Sequence, residues 1–319
     1  MILVVLGVLL LVFILSRMAG DPIVALLGEG ATQEAYNALK SELGLDRPLP
    51  VQFVDFISNA LKGDLGTDYI MKQSVSRMIA EKLPISLALT AMGLCLALIV
   101  GVPLGVAAAT HHNGKMDYLL TLMAMLFASI PGFWLAMMGI ILFTLRLGWF
   151  PASGLGSAAH WVMPVVFCSL NPIAGLTRIT RSTMLEQIRQ DYIRTARSKG
   201  IAERRTIYRH ALKNAFIPVL TYFGNMVGGT IGANIVLETV FAIPGIGLLL
   251  MDSISQRNYP IIMGSVLVLS VFVCCINLLV DLTYGFIDPK IKAQYKDRNR
   301  SSKKLESLIA ETVKEGGAE

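Results

Sequence analysis

The sequence predicts an all-α membrane protein with six transmembrane helices and a large external region after the first. Three observations predict it. The 319 residues are 54% hydrophobic and 16% charged, with mean hydropathy +0.60, a balance that suits a chain crossing a bilayer several times. Two of the apolar stretches carry Gly or Ala every four residues, a spacing that lets helix backbones approach closely. The basic residues are sorted: ten of the 28 Lys/Arg lie between Arg178 and Lys213, with three acids among them.

Residues 1–17 are apolar and read as the first transmembrane helix, with a signal peptide disfavoured by the lack of a basic n-region. Residues 18–82 form a polar region with nine acids, and short helices are expected near 31–43 and 50–62. The core, 83–287, holds five more spans. The second, about 83–110, carries the small-residue row Gly93, Ala97, Gly101, Gly105 and Ala109. The third, 118–145, should kink at Pro131 and Gly132. Trp149 marks an interfacial loop before the fourth span, 161–180, which Pro164 and Pro172 should bend. The fifth, 217–241, repeats the small spacing at Gly224, Gly228 and Gly232. It also carries Asn225, Thr230, Asn234 and Glu238, polar for a lipid-facing helix. Such residues suit a translocation path or serve as hydrogen-bonding glue between helices. The sixth span, 261–287, contains Asp281, and residues 288–319 read as a basic tail.

The polar island between the fourth and fifth spans has its own pattern. Residues 191–199 read as a helix, with Asp191 at its start and Arg197 and Lys199 in its last turn. Gly200 follows, the residue that best takes the left-handed conformation ending a helix. From about 203 a second helix carries an apolar stripe at Ile207, Ala211 and Ala215, widened by Tyr208 and Leu212. On composition alone this is a solvated basic loop that fixes topology, or a docking element.

The phrases DYIRTARSKG (191–200) and RHALKNAFIPV (209–219) resemble the cytoplasmic coupling loop of ATP-binding-cassette (ABC) importer permeases of the dipeptide/oligopeptide/nickel family. Gly200, Ala196 and Leu212 match the wider loop motif. Arg194, Thr195, His210 and Lys213 depart from it, as the peptide/nickel branch does. GDP (20–22), LGLDRPLPVQF (43–53), GDLG (63–66), ETVFAIPGIGLLL (238–250) and NLLVDLTYGFIDPKIK (277–292) resemble the same family. The resemblance implies a type I ABC importer-like fold, with loop 181–216 docking on an ATPase. Asp191, Tyr192, Ile193, Arg194, Ala196, Arg197 and Gly200 would couple to it. Asn225, Thr230, Asn234, Glu238 and Asp281 would line the path, with water reaching Glu238 and Asp281 near the span ends. The implied partners are a second homologous permease, two ATPase subunits holding ATP and Mg, an external binding protein and the bilayer. No cofactor is expected in this chain. The cargo would be di- or oligopeptides, with nickel or a metal chelate second.

Charge sorting gives the orientation. Segments assigned inside hold nineteen Lys/Arg against eight outside, so both termini are expected on the cytoplasmic side; the resemblance implies a bacterial or archaeal cell membrane. No basic stripe interleaved with aromatics suggests nucleic acid. The sequence contains no G-x-x-x-x-G-K-[ST], HExxH or GxSxG, which disfavours ATP cleavage or proteolysis by this chain. An ion-coupled secondary transporter using Glu238 and Asp281 is the alternative from another class.

Overall fold

The computed structural model describes residues 2–18, 20–28 and 31–287, without the side chains of 281 and 284–287. The tail 288–319 lies outside the described residues. The described chain is mostly helical and contains no strand.

Helix α1 covers Ile2–Met18 and is apolar throughout. Three short helices follow in the polar region: α2 (Pro22–Leu27), α3 (Gln33–Glu42) and α4 (Leu49–Ala60). Asp21 caps α2 by accepting from Ile23 N, and Thr32 caps α3 by accepting from Ala35 N. The two helices expected near 31–43 and 50–62 are therefore present, and α2 is an addition.

Helix α5 runs over Val75–Thr110, starting eight residues before the apolar segment. Helix α8 runs over Ala159–Ile188, with Pro164 and Pro172 inside it, and continues into the basic island. The small-residue row of α5 packs on α8. A Cβ at Gly101 would lie 2.9 Å from Leu176 Cβ, and one at Gly105 would lie 2.7 Å from the Thr177 carbonyl oxygen. Thr177 Oγ1 donates to the Gly101 carbonyl across the seam at 3.3 Å. Absence of side chains on one helix thus lets a cross-helix hydrogen bond form.

The third expected span is broken. Helix α6 (Lys115–Ser129) meets α7 (Gly132–Gly139), extended by π-helical residues Ile140–Arg146, at 98°. The cause is local: Pro131 forces Ile130 into extended backbone (φ −91°, ψ 130°). The expected kink is a change of direction of about a right angle.

In the island, α9 covers Asp191–Ser198 and α10 covers Glu203–Arg205. A π-helical turn, Thr206–Ala211, leads straight into α11, Leu212–Val240. The fifth span is thus continuous with the island's second helix. Its glycines do not make a single packed face: Gly228 meets Val273, whereas nothing lies within 4 Å of a Cβ built on Gly232. Helices α12 (Ile246–Ser255) and α13 (Tyr259–Ile287) complete the described residues.

Among the described residues, α5, α8 and Tyr259–Val280 of α13 are long and apolar enough to cross a membrane. The bent pair α6–α7 makes a fourth if it counts as one span. Helix α1 is apolar but 17 residues long. Helix α11 has the length, but its Asn, Gly and Thr residues dilute its apolar character.

Candidate functional site: a seated surface helix and a buried helix cap

The island's first helix ends as its sequence dictates. Gly200 takes φ +72°. Its N–H donates to the Arg197 carbonyl at 2.9 Å, and Ile201 N–H donates to the Ala196 carbonyl at 3.3 Å. This pair of bonds is the Schellman closure, and it sets the angle at which the chain returns. Arg197 then clamps the turn, its Nη2 donating to Glu203 Oε1 at 2.6 Å. The guanidinium holds the Glu203 carboxyl below its ordinary value.

The faces of α9 are sharply divided. Ile193 is fully buried and Ala196 nearly so. Ile193 packs in one apolar cluster with Val106 and Ala109 of α5, Met184 of α8, and Ile207, Ala211 and Ala215 leading into α11. The stripe expected at Ile207, Ala211 and Ala215 is therefore real, and its partner is α9 of the same chain. Ile193 and Ala196, expected to meet a partner protein, instead hold α9 to its own helices. Tyr208 points away, 55% exposed, and does not widen the stripe. The outward face carries Asp191 and Arg194, whose side chains are 96% and 77% exposed. Tyr192 shares that face, its hydroxyl donating to Gln187 Oε1 at 2.8 Å.

The path residues divide too. Asn225, Thr230 and Asn234 border one cavity of about 510 Å³ between α7, α8 and α11. Thr230 Oγ1 bonds its own helix at the Met226 carbonyl. Asn234 Nδ2 donates to Thr90 Oγ1 at 2.8 Å, tying α11 to α5.

Glu238 is not on that cavity, and at 1% exposed it does not meet water. Its Oε2 accepts from Gly247 N at 2.7 Å, and Ser86 Oγ accepts from Ile246 N at 2.9 Å. Together they cap the N-terminus of α12, whose free N–H groups favour an anion. Gly247 permits the approach: a Cβ there would lie 2.6 Å from Ile235 Cα. The side chain of Asp281 lies outside the described residues.

One group that the sequence did not single out is Asp117, buried at the head of α6. Its carboxylate accepts from Arg181 Nε at 2.5 Å and Nη2 at 2.8 Å, from Asn113 N at 3.0 Å, and from Thr121 Oγ1 at 3.3 Å. His112 Nδ1 stands 3.3 Å away. The only sequence signal was an acid opening a span opposite the first bases of the island.

Known proteins match this arrangement. Residues 101–293 match the family model described as binding-protein-dependent transport system inner membrane component, and residues 1–90 match its N-terminal companion. A protein named as a peptide permease in Brucella suis biovar 1 is 39% identical over 301 residues, covering 90% of this chain and 94% of its own. The oligopeptide transport system permease protein AppB of Bacillus subtilis is 36% identical over 301 residues, covering 91% and 95%. The glutathione transport system permease protein GsiC of Pectobacterium atrosepticum is 37% identical, covering 89% and 94%. In structure, the methionine ABC transporter MetNI in inward-facing form aligns with TM-score 0.57 at 19% identity, over 66% of this chain and 96% of that one. The seated surface helix, the capped α12 and these matches lead to one assignment: the chain belongs to the binding-protein-dependent transport system inner membrane components, the permease subunits of ABC importers.

Proposed function

We propose that this chain is the membrane permease of an ATP-driven importer of di- or oligopeptides delivered by an external binding protein. The naming of its relatives for peptides, oligopeptides and glutathione supports the cargo class. On this reading α1 and α11 also cross the membrane, giving six spans. Residues 18–82 lie outside, and loop 181–216 and the tail 288–319 lie in the cytoplasm. A second permease completes the path, and two ATPase subunits holding ATP and Mg bind and cleave the nucleotide.

The observation that carries this reading is the seating of α9. A short helix offering Asp191, Tyr192 and Arg194 outward shares, through Ile193, one buried apolar cluster with α5, α8 and the turn that leads into α11. A push on the outward face therefore reaches α5, α8 and α11 together. The test is reconstitution with the second permease, both ATPases and the binding protein. Arg194→Glu should cut peptide-stimulated ATP hydrolysis and uptake by about tenfold or more, as for loss of a charge-assisted contact. Unchanged co-purification, hydrolysis and uptake would overturn the docking role. Uptake that persists in ATP-free vesicles on a proton gradient would overturn the ATP-driven reading.

A further inference from the structure

At the end of α1 farthest from the chain start, Arg17 turns back over two rings. Its guanidinium carbon stands 4.5 Å from the ring centre of Tyr259 and 5.1 Å from that of Phe13. Nη2 donates to Gln52 Oε1 at 2.5 Å. Nε is buried and has no hydrogen-bond partner, and no ion pair joins Arg17 to a carboxylate among the described residues. A half-buried guanidinium without a counter-charge is costly, and its planar fork matches a phosphate or carboxylate.

The group lines a pocket of about 140 Å³ between α1, α4, the 64–69 turn and α13. Asn59 and Tyr69 add polar atoms to its wall. Burial pushes the Tyr69 phenol up to about 12, so it stays neutral. Asp64 also borders the pocket, but its Oδ1 accepts from Gly66 N at 2.9 Å. Neighbouring Asp68 is spent on Ile70 N, Met71 N and Asn258 Nδ2. That volume is large enough to admit a phosphate group. Beside it, α1 presents Leu10, Leu11, Ile14, Leu15 and Met18, all exposed and apolar. An arginine at the end of such a helix lies at headgroup depth in either leaflet.

We propose that this pocket binds the phosphate of a single phospholipid headgroup, with Arg17 as its fork. The chemistry is that of a phosphate oxyanion, and the exposed face of α1 favours a lipid as its source. A bound headgroup would join α1, α4 and α13 through one charge. This inference is independent of the peptide cargo and of the ATPase docking.

The test uses the purified transporter complex in nanodiscs of phosphatidylglycerol and phosphatidylcholine, read by native mass spectrometry. A parallel thermal-unfolding series in phosphatidylcholine alone adds inorganic phosphate. The wild type should retain one more tightly held phospholipid per chain than Arg17→Gln, with affinity at least about tenfold higher. Asn59→Trp, which crowds the pocket and leaves Arg17 in place, should lose the same lipid, and it decides the matter if Arg17→Gln fails to fold. Protection by inorganic phosphate alone, abolished in the variants, would keep the oxyanion site and assign it a free ion. Equal lipid retention in wild type and variants, with no phosphate protection, would overturn the site and leave Arg17 a clamp between Gln52 and Tyr259.

Discussion

The two short helices at the ends of the α5–α8 pair, α9 and α12, are held by different contacts. At the basic end, α9 rests on an apolar patch through Ile193. At the other end, α12 is also seated on apolar contacts, through Ile246 and Leu250, but its start is pinned by directed bonds: the Glu238 carboxylate to Gly247 N and Ser86 Oγ to Ile246 N. Apolar contact is non-directional and tolerates small sliding. Buried hydrogen bonds fix one geometry and penalise leaving it. The seat of α9 is therefore the adjustable contact, and the start of α12 is fixed in register.

Variants that exchange size for polarity break or sharpen this contrast. The largest effect is expected from Ile193→Ala, which leaves a cavity beneath α9 and should cost about 2–5 kcal/mol of its seating. Hydrogen exchange of the 191–198 amides should rise steeply, while 246–255 stays protected. Ile193→Leu, of equal volume, should change exchange by less than about 1.5 kcal/mol. Next comes Glu238→Leu, which fills the space but orphans the Gly247 N–H, at about 1–3 kcal/mol. Here exchange should rise at 246–250 and remain low at 191–198. If both ends loosen equally in either variant, the division between them is wrong.

Gly200→Val is expected to be smaller. Nothing lies within 4 Å of a Cβ there, so the cost is that of φ +72° alone, about 1–2 kcal/mol. It should loosen the turn after α9 and leave Ile193 buried, which solvent labelling of a cysteine at 193 against one at 194 would report.

The smallest effect is Glu203→Gln. The Arg197 pair is half exposed and worth less than about 1 kcal/mol. Because the carboxyl is held below its ordinary value, its contribution is present above the usual carboxylate range. It is lost as pH falls through the lowered folded value. A pH titration of exchange at 199–203 should show that loss in the parent and none in the variant.

Local rules were readable in the sequence. The αL glycine after α9, the stripe at Ile207, Ala211 and Ala215, and the small-residue row of α5 are periodic or positional signals, and each appears where expected. Pairings across long separations were not readable. Asp117 and Arg181 are 64 residues apart, and Asn234 and Thr90 are 144 apart. Nothing in either local stretch names the other. The role of Ile193 failed for a related reason. A short helix shows which residues are apolar, but not whether their cover comes from its own chain or another. Glu238 looked like a solvated acid because its partners are backbone N–H groups, which carry no residue signature.

The close-packed glycine seam between α5 and α8 has a mechanical consequence. With backbones this near, the pair resists shear and turns as one beam. The 36 residues of α5 make a rod of about 54 Å, far longer than a hydrocarbon core of about 30 Å. Pivoted at its middle, such a rod tilted by about 10° swings each tip by about 5 Å, in opposite directions. The patch under α9, at Val106 and Ala109, rides near one tip, whereas Ser86, which holds the start of α12, lies only about 10 Å to the other side of the middle. The same rotation would thus carry the patch by about 4 Å and Ser86 by about 2 Å in the opposite direction, with no bond inside the beam broken.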